Sequence, residues 1–560
     1  MRKIFVLLLT TIITIQSCKK VFYGGDVDIY RISDEENMEI ALNGMYNRLA
    51  VLIQEHYAYQ IINGDDITYF GYDNRIFNHN PYASIDNEGH FIFTDSIFYI
   101  DFTSPYSSSY VHYQIWQHIY NTIISANNII SQYEKNELDS RFVPMVGEAY
   151  LVRAYCFLRL VRVFGKGPLV SGVDVDYELG YSSPKEIYSL IETDLKNAIK
   201  ILPDNNITAR VSYVTPHRGT AKALLAQVYL EMAGFPLKDD EKYKLAANLS
   251  KDVIDSADYF GYRLLDDYAN VWDRNDNANE ESVFSIFYNP VSLYTILRLN
   301  SQDFIGGGRA EETSIYVPQP VKSYQSLDMN YFNDRGLIVE NAFYNNYPRS
   351  YRRDITFMNH LEGYFYKKTW IYQEDTHIIT DSIYFNHYYD TIDFGDNIAY
   401  LKHYILRIRD FPPVGAYRDI NTTNYADKAN EDNTSLYIFR FPHVLLTYAE
   451  AKARSNDIDA SAYEAVNMVR RRANKVDIYS SSAYDLTPGL SPEQFADSVV
   501  QERAWEFCGE LEGRWYDLLR LEMVDQLPEL RDPDEKGPPE YPITEDDLYF
   551  PIPEEAAVWF

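Results

Sequence analysis

From Ile115 the apolar residues of this chain recur at Ile119, Ile123, Ala126 and Ile130, in steps of four, four, three and four. That spacing puts them on one face of a helix. Ala149, Val152, Cys156, Leu160 and Val163 repeat the stripe, and Gly165-Lys166-Gly167-Pro168 stops it, since glycine and proline close helices. Ser183-Pro184-Lys185-Glu186 pairs a capping serine with a glutamate three residues on, and proline fits the first helical position. It opens a helix with Ile187, Leu190, Ile191, Leu195 and Ala198 inward. Thr215-Pro216 opens the next, with Ala221, Leu224, Leu225, Val228 and Met232 inward and Gly234 as terminator. Ser491-Pro492-Glu493-Gln494 caps another, carrying Ala496, Val500, Ala504, Phe507 and Leu511. Arg153-Ala154-Tyr155 and Lys222-Ala223-Leu224 stand 69 residues apart, as do Gly165 and Gly234. That is about twice the 34-residue period of tetratricopeptide helix pairs, and it predicts stacked antiparallel pairs.

Two regions lack a helical period. Residues from about 63 to 110 and about 273 to 435 are rich in Asn, Asp, Gly, Ser and Tyr. Within the second, residues 364–372 and 382–389 are rich in aromatic and β-branched residues, which predicts strands or hairpins. The pattern therefore gives a mainly α fold: a helical scaffold over about 30–62, 111–272 and 436–530, with irregular segments where binding function tends to sit.

The first residues belong to neither part. Arg2 and Lys3 precede an apolar run from Ile4 to Ile15, too short for the roughly 20 residues a membrane span needs but suited to a signal peptide. Ile15-Gln16-Ser17-Cys18 is similar to a bacterial lipobox. Cleavage after Ser17 would leave Cys18 as an acylated first residue, anchoring the body to a membrane. An ordinary cleaved signal with an incidental cysteine is the alternative.

Charge narrows the partners. The net charge of −31 falls to −33 without Arg2 and Lys3, and such a surface repels phosphate backbones, so nucleic acid is not an expected partner. Cys156 and Cys508 lie among apolar residues, and two cysteines make no disulfide framework. The 51 tyrosines stand out. Tyrosine offers an apolar face and a polar tip at low entropic cost, which favours recognition surfaces.

No catalytic signature stands out. H-E-x-x-H, C-x-x-C, G-x-S-x-G and a Walker-type loop are all missing from the sequence. The glycines at 165, 167 and 306–308 read as turns, and the sequence calls for no cofactor and no metal. Asp273-Arg274-Asn275-Asp276-Asn277 lacks EF-hand spacing. His112, Trp116 and Tyr120 share a helix face, where packing is the simpler reading. Glu502, Glu506 and Glu510 recur every four residues near Arg503 and Arg514. They read as a salt-bridged face or, alternatively, as the carboxylate pair of a lipid-anchored glycoside hydrolase.

The C-terminal third carries a resemblance. Residues 439–453 (Phe439 to Ala453), 465–473 (Ala465 to Ala473) and 502–520 (Glu502 to Arg520) are similar, in order, to segments of the SusD/RagB family of Bacteroidetes outer-membrane lipoproteins. So are Asn43 to Tyr46, the Trp116/Tyr120/Asn127 helix, Glu148 to Val161, Thr220 to Leu230, Val271 to Asp273 with Glu281, and Phe550 to Pro553. The resemblance implies a tetratricopeptide-like scaffold with a loop-rich ligand region, within one SusD-like body over 18–560. It also implies a cell-surface lipoprotein lid that binds a glycan and delivers it to a SusC-like TonB-dependent outer-membrane transporter, without catalysis. Peptide capture, as in RagB-type members, and a lid with no ligand affinity are the alternatives within the fold. Position relative to the matched helices suggests Asp65, Asp66, Tyr69, Arg75, Tyr106, Tyr110, Tyr294 and Trp370 as ligand-binding candidates. The tryptophans and arginines of the matched segments read as packing and ion-pair residues.

Overall fold

A computed structural model describes residues 31–61, 66–70, 84–85, 91–92, 110–173, 179–272, 278–286, 337–339, 341–358, 360–373, 378–393, 398–400, 436–530, 548–550 and 552–553. The chain divides into two compact units: residues 1–56, 77–262 and 542–560, and residues 57–76 and 263–541.

The first unit is built from helices α1 (Glu35–Ile61), α2 (Tyr110–Glu134), α3 (Val143–Phe164), α4 (Pro184–Ile201), α5 (Arg218–Met232) and α6 (Glu241–Asp255). From α2 onward each helix packs on the next. Every residue of α3 from Val146 to Phe164 is buried, as expected of a helix covered on all sides. It ends at Gly165, whose φ of 70° is the left-handed cap that the sequence requires there. At the start of α4 the Ser183 hydroxyl accepts from the Glu186 amide while Glu186 accepts from the Ser183 amide. Ile187, Ile191, Leu195 and Ala198 face inward as expected, but Leu190 is only half-buried and Tyr188 takes the inward place. Helix α5 begins at Arg218, later than Thr215-Pro216 suggests, because His217 Nδ1 accepts from the Gly219 amide at 3.1 Å and serves as the cap.

Polar residues of the matched segments tie these helices together. Arg153 donates to both Asp194 oxygens at 2.7 Å and to Asn127 Oδ1 at 2.8 Å. Asn127 in turn donates to the Val170 and Gly172 carbonyls. Arg162 pairs with Glu231, 69 residues on, so the repeat spacing is a buried ion pair between α3 and α5. Trp116 and Tyr120 are both buried, with Trp116 edge-on to Phe164 at 5.1 Å. On its other side Phe164 meets Phe550, whose amide donates to the Val163 carbonyl at 2.7 Å. Phe550 is thus fastened to the end of α3.

The second unit mixes short strands with helices. Strands β1 (Thr68–Phe70), β2 (Ser282–Ile286), β3 (Leu337–Val339), β4 (Phe357–Met358), β5 (His360–Gln373), β6 (Ile378–Asp393), β7 (Ile398–Tyr400) and β8 (Leu436–Arg440) precede or flank helices α7 (Tyr351–Thr356), α8 (Phe441–Arg454), α9 (Ala460–Ala473), α10 (Pro492–Glu506) and α11 (Arg514–Arg520). One sheet has the order β1-β3-β7-β4, and β2 pairs with β8. The predicted hairpin forms from β5 and β6, antiparallel from His360↔Asp393 to Gln373↔Ile378. Helix α8 packs against both α9 and α10. Two features depart from the pattern. Short helices at Asn341–Asn346 and α7 lie inside a stretch that reads as irregular, since one or two turns cannot show a period. Helix α10 ends at Glu506, not through Leu511. Gly509 adopts φ 70° just beyond, and Arg440 takes the Glu506 carbonyl at 3.3 Å. Glu510 therefore lies past the helix end, not on its face.

Candidate functional site

Pairing of β2 with β8 sets Arg440 against Ser282, and the Phe441 amide donates to the Glu281 carbonyl at 2.9 Å. Two segments about 160 residues apart in sequence are thereby aligned, and their side chains begin a buried ion-pair network. Arg440 donates to both Glu510 oxygens at 2.9 Å, to Glu281 Oε1 at 2.5 Å and to Glu506 Oε1 at 2.9 Å. Arg472, from the last turn of α9, reaches Glu281 at 2.8 Å and Glu506 at 2.5 Å. Arg352, from α7, reaches Glu506 Oε2 at 2.7 Å and Glu502 at 2.8 Å. Arg352, Arg440, Arg472, Glu281 and Glu506 are essentially inaccessible to water. Aromatic rings wall the guanidiniums: Tyr268 lies 4.9 Å from Arg472, and Phe507 5.2 Å from Arg440.

The electrostatics follow from this packing. Burial alone would raise the Glu506 pKa, but Arg472, Arg440 and Arg352 outweigh it and hold the group at about 2. Burial likewise opposes the charge on Arg440, and Glu510, Glu506 and Glu281 more than offset it. A general acid for glycoside cleavage needs the opposite perturbation, a carboxyl raised toward neutral pH in an open cleft. Glu502, Glu506 and Glu510 are buried and engaged by arginines. The hydrolase reading placed on them is overturned, and the salt-bridged one holds.

A second network continues into α11. Arg520 grips both Glu450 oxygens at 2.7 Å and Asp517 at 2.7–2.9 Å, and Arg503 adds 2.9 Å to Asp517. His443 stacks between Phe439 and Phe507, with centroids 4.5 and 3.6 Å away, and its Nδ1 accepts from the Arg440 amide. Burial first, then Arg440 and Arg503, push its pKa well below the usual 6.5.

The candidate ligand residues fall as follows. Asp66 is buried, and Arg514 engages its two oxygens at 2.8 and 3.0 Å, fastening the lead-in to β1 onto α11. Tyr69 is the middle residue of β1, paired with Ile338. Tyr110 is the first residue of α2. Trp370 sits at the register irregularity of the β5–β6 hairpin, between the Thr369↔Tyr384 and Ile371↔Thr380 pairs. Asp65, Arg75, Tyr106 and Tyr294 lie outside the described residues, as does Cys18. Sequence reasoning missed Arg352 altogether. Its only local signal is the Ser350 cap, whose hydroxyl accepts from the Arg353 amide. Among the described residues no cluster of His, Cys, Asp or Glu is arranged to hold a metal, and no helix is long and apolar enough to cross a membrane. Cys156 and Cys508 are buried free thiols.

Fold and site together define a tetratricopeptide-like helical protein whose matched segments are scaffold, clamped by buried arginine–carboxylate networks. The model of the SusD family matches residues 272–556, half of the chain, and a family described as starch-binding associating with outer membrane matches residues 61–230. The chain belongs to the SusD family. It is similar to SusD-like protein P2 of Formosa agariphila, 27% identical over 431 residues that span 74% of this chain and 72% of the relative. A SusD homolog from Bacteroides thetaiotaomicron matches in structure at TM-score 0.64 and 21% identity, covering 97% of each chain. A laminarin-binding SusD-like protein matches at TM-score 0.58 and 18% identity, covering 95% of this chain and 98% of its own.

Proposed function

We propose that this chain is a glycan-binding lipoprotein of the outer membrane, held through Cys18 after removal of residues 1–17 and facing the cell exterior. It captures an oligosaccharide or polysaccharide with the segments around 63–110 and 273–435 and hands it to a SusC-like TonB-dependent barrel, breaking no bond itself. The observation that carries the reading is the burial of the motif carboxylates: Glu502, Glu506 and Glu510 are committed to arginines. What they supply is a stiff frame, which leaves recognition to the irregular segments. The family's description as starch-binding and the laminarin-binding neighbour support a glycan as ligand. Sugar C–H faces stack on aromatic rings while polar side chains bond hydroxyls, which gives the excess of tyrosine a use.

Calorimetry against a panel of neutral glycans and of peptides tests this. Binding of at least one glycan is expected, about ten-fold weaker in Trp370→Ala or Tyr294→Ala for the loss of one stacking ring. Binding of peptides alone would support the RagB-type alternative, and turnover of a bound glycan would overturn the proposal. Retention of a TonB-dependent barrel by the lipidated protein in gentle detergent, lost in Cys18→Ser cells, tests the anchor and the partner.

A further inference from the structure

Between α9 and α10 the segment from Asn474 to Leu490 is fixed by two adjacent arginines. Arg471, buried, donates to the Ile478 carbonyl at 2.9 Å and to both Asp485 oxygens at 2.8 and 2.6 Å, and is itself braced by Glu464. Arg470 donates to the Tyr484 carbonyl at 2.8 Å and to Glu502 at 3.0 Å. Asp477 caps the turn by accepting from the Tyr479 amide and the Ser480 hydroxyl. The Gly489 and Leu490 amides both donate to the Tyr463 hydroxyl at 3.1 Å. Despite this bracing, Tyr479 is 66% exposed and Tyr484 44% exposed. Each stands beside a residue that an arginine pins. Rings held on a fixed backbone present apolar area whose ordering cost is already met before a ligand arrives.

The basic groups that brace this segment are compensated: Arg471 is matched by Asp485 and Glu464, and Arg470 by Glu502. Lys475, four residues before Tyr479 in sequence, pairs with Asp267 at 3.1 Å and covers the Tyr351 ring at 4.2 Å. Acidic groups match or outnumber basic ones along this strip, so it offers no attraction to a phosphate or a polyanion. It does offer an aromatic face with hydrogen-bond donors and acceptors beside it, the chemistry of a neutral sugar.

We propose that Tyr479 and Tyr484 form a second carbohydrate platform that takes a neutral glycan chain. None of the candidate ligand residues belongs to this loop. The proposal rests on the glycan-binding reading above and adds a site to it. Electrophoresis of the mature chain through native gels containing laminarin, xyloglucan or starch tests it. Tyr479→Ala/Tyr484→Ala is expected to bind the retarding polymer about ten-fold more weakly than wild type. Its melting temperature should be unchanged, and Tyr479→Phe should restore most of the retardation. Adding Trp370→Ala should remove what is left. Equal retardation of the double variant and the wild type would overturn the second platform and leave the first reading standing. A loss that comes with a lowered melting temperature and no rescue by Tyr479→Phe would also overturn it. Wild type that no polymer retards, and that no glycan binds in calorimetry, overturns both.

Discussion

Replacing Glu506 with glutamine is the sharpest test of the buried network. The change keeps the shape but removes the one carboxylate that Arg352, Arg440 and Arg472 share. An amide offers a single acceptor oxygen and turns its own N–H groups toward a guanidinium, leaving positive charge buried without its counterion. The depression of Glu506 from 4.5 to about 2 corresponds to about 3 kcal/mol of preference for the charged form. Breaking one partner of a buried pair costs about 3–5 kcal/mol in other systems. For a unit of this size that is about 5–8 °C in melting temperature. The assay is scanning calorimetry with urea unfolding of wild type and Glu506→Gln across pH. The pH dependence has a definite sign. A carboxyl depressed in the folded state stabilises fully above its ordinary value near 4.5, and that contribution drains away as pH falls toward about 2. Wild type should therefore show a steep acid limb between those values, and Glu506→Gln a shallower one. A double-mutant cycle with Arg472→Gln should give a coupling above about 1 kcal/mol. A loss below about 1 kcal/mol with the acid limb unchanged would refute the account of the network as a stabilising frame.

Other residues make separate tests. Asp66→Asn leaves Arg514 with a neutral partner, so about 1.5–3 kcal/mol of stability should go, read by urea unfolding; glycan affinity should fall only as far as β1 is displaced. His443 is held neutral by burial and by Arg440 and Arg503. Its folded pKa lies below the unfolded one, so its contribution is whole above pH 6.5 and erodes as pH falls below it. His443→Phe should flatten the fall in stability below about pH 6.5, followed by unfolding at each pH. Gly165→Ala puts a Cβ at φ 70°, 3.0 Å from the Tyr549 ring. A loss of about 1–3 kcal/mol is expected, and the Tyr549→Ala background should recover only the steric part.

Helices with a stripe and a cap were legible. The stripes from Ile115 and Ala149 each lie within an observed helix, and the serine caps at 183 and 491 each head one. What failed was local competition that a stripe does not register. His217 displaced Thr215 as a cap because its ring nitrogen reaches the Gly219 amide. Helix α10 stopped early because Gly509 turns left-handed and Arg440 takes the carbonyl that the next turn would have used. Arg352 was invisible because its helix has six residues, and no period can be read over so short a span. Its role comes entirely from tertiary contact with Glu502 and Glu506.

The same physics explains why the family was readable from this sequence and the ligand was not. Arg440, Arg472, Glu281, Glu506 and Glu510 belong to segments scattered from residue 271 to 520, yet they meet in one water-free cluster. Each member sets the charge its neighbours must carry. Altering one leaves a buried ion unpaired, at a cost that takes a large share of a marginally stable fold's reserve. Residues under that constraint keep their identity and their order along the chain, and this makes an ordered set of motifs specific. A ring that stacks on a sugar is under no such constraint: it must be aromatic and exposed, and many positions on a loop will serve. Motifs therefore report the frame, while the residues that would choose a glycan have surroundings with no fixed spelling. For this chain, substitutions in the arginine–glutamate cluster should move stability before affinity, and substitutions of exposed tyrosines should move affinity alone. A Tyr479→Ala variant that unfolds like Glu506→Gln would break that separation.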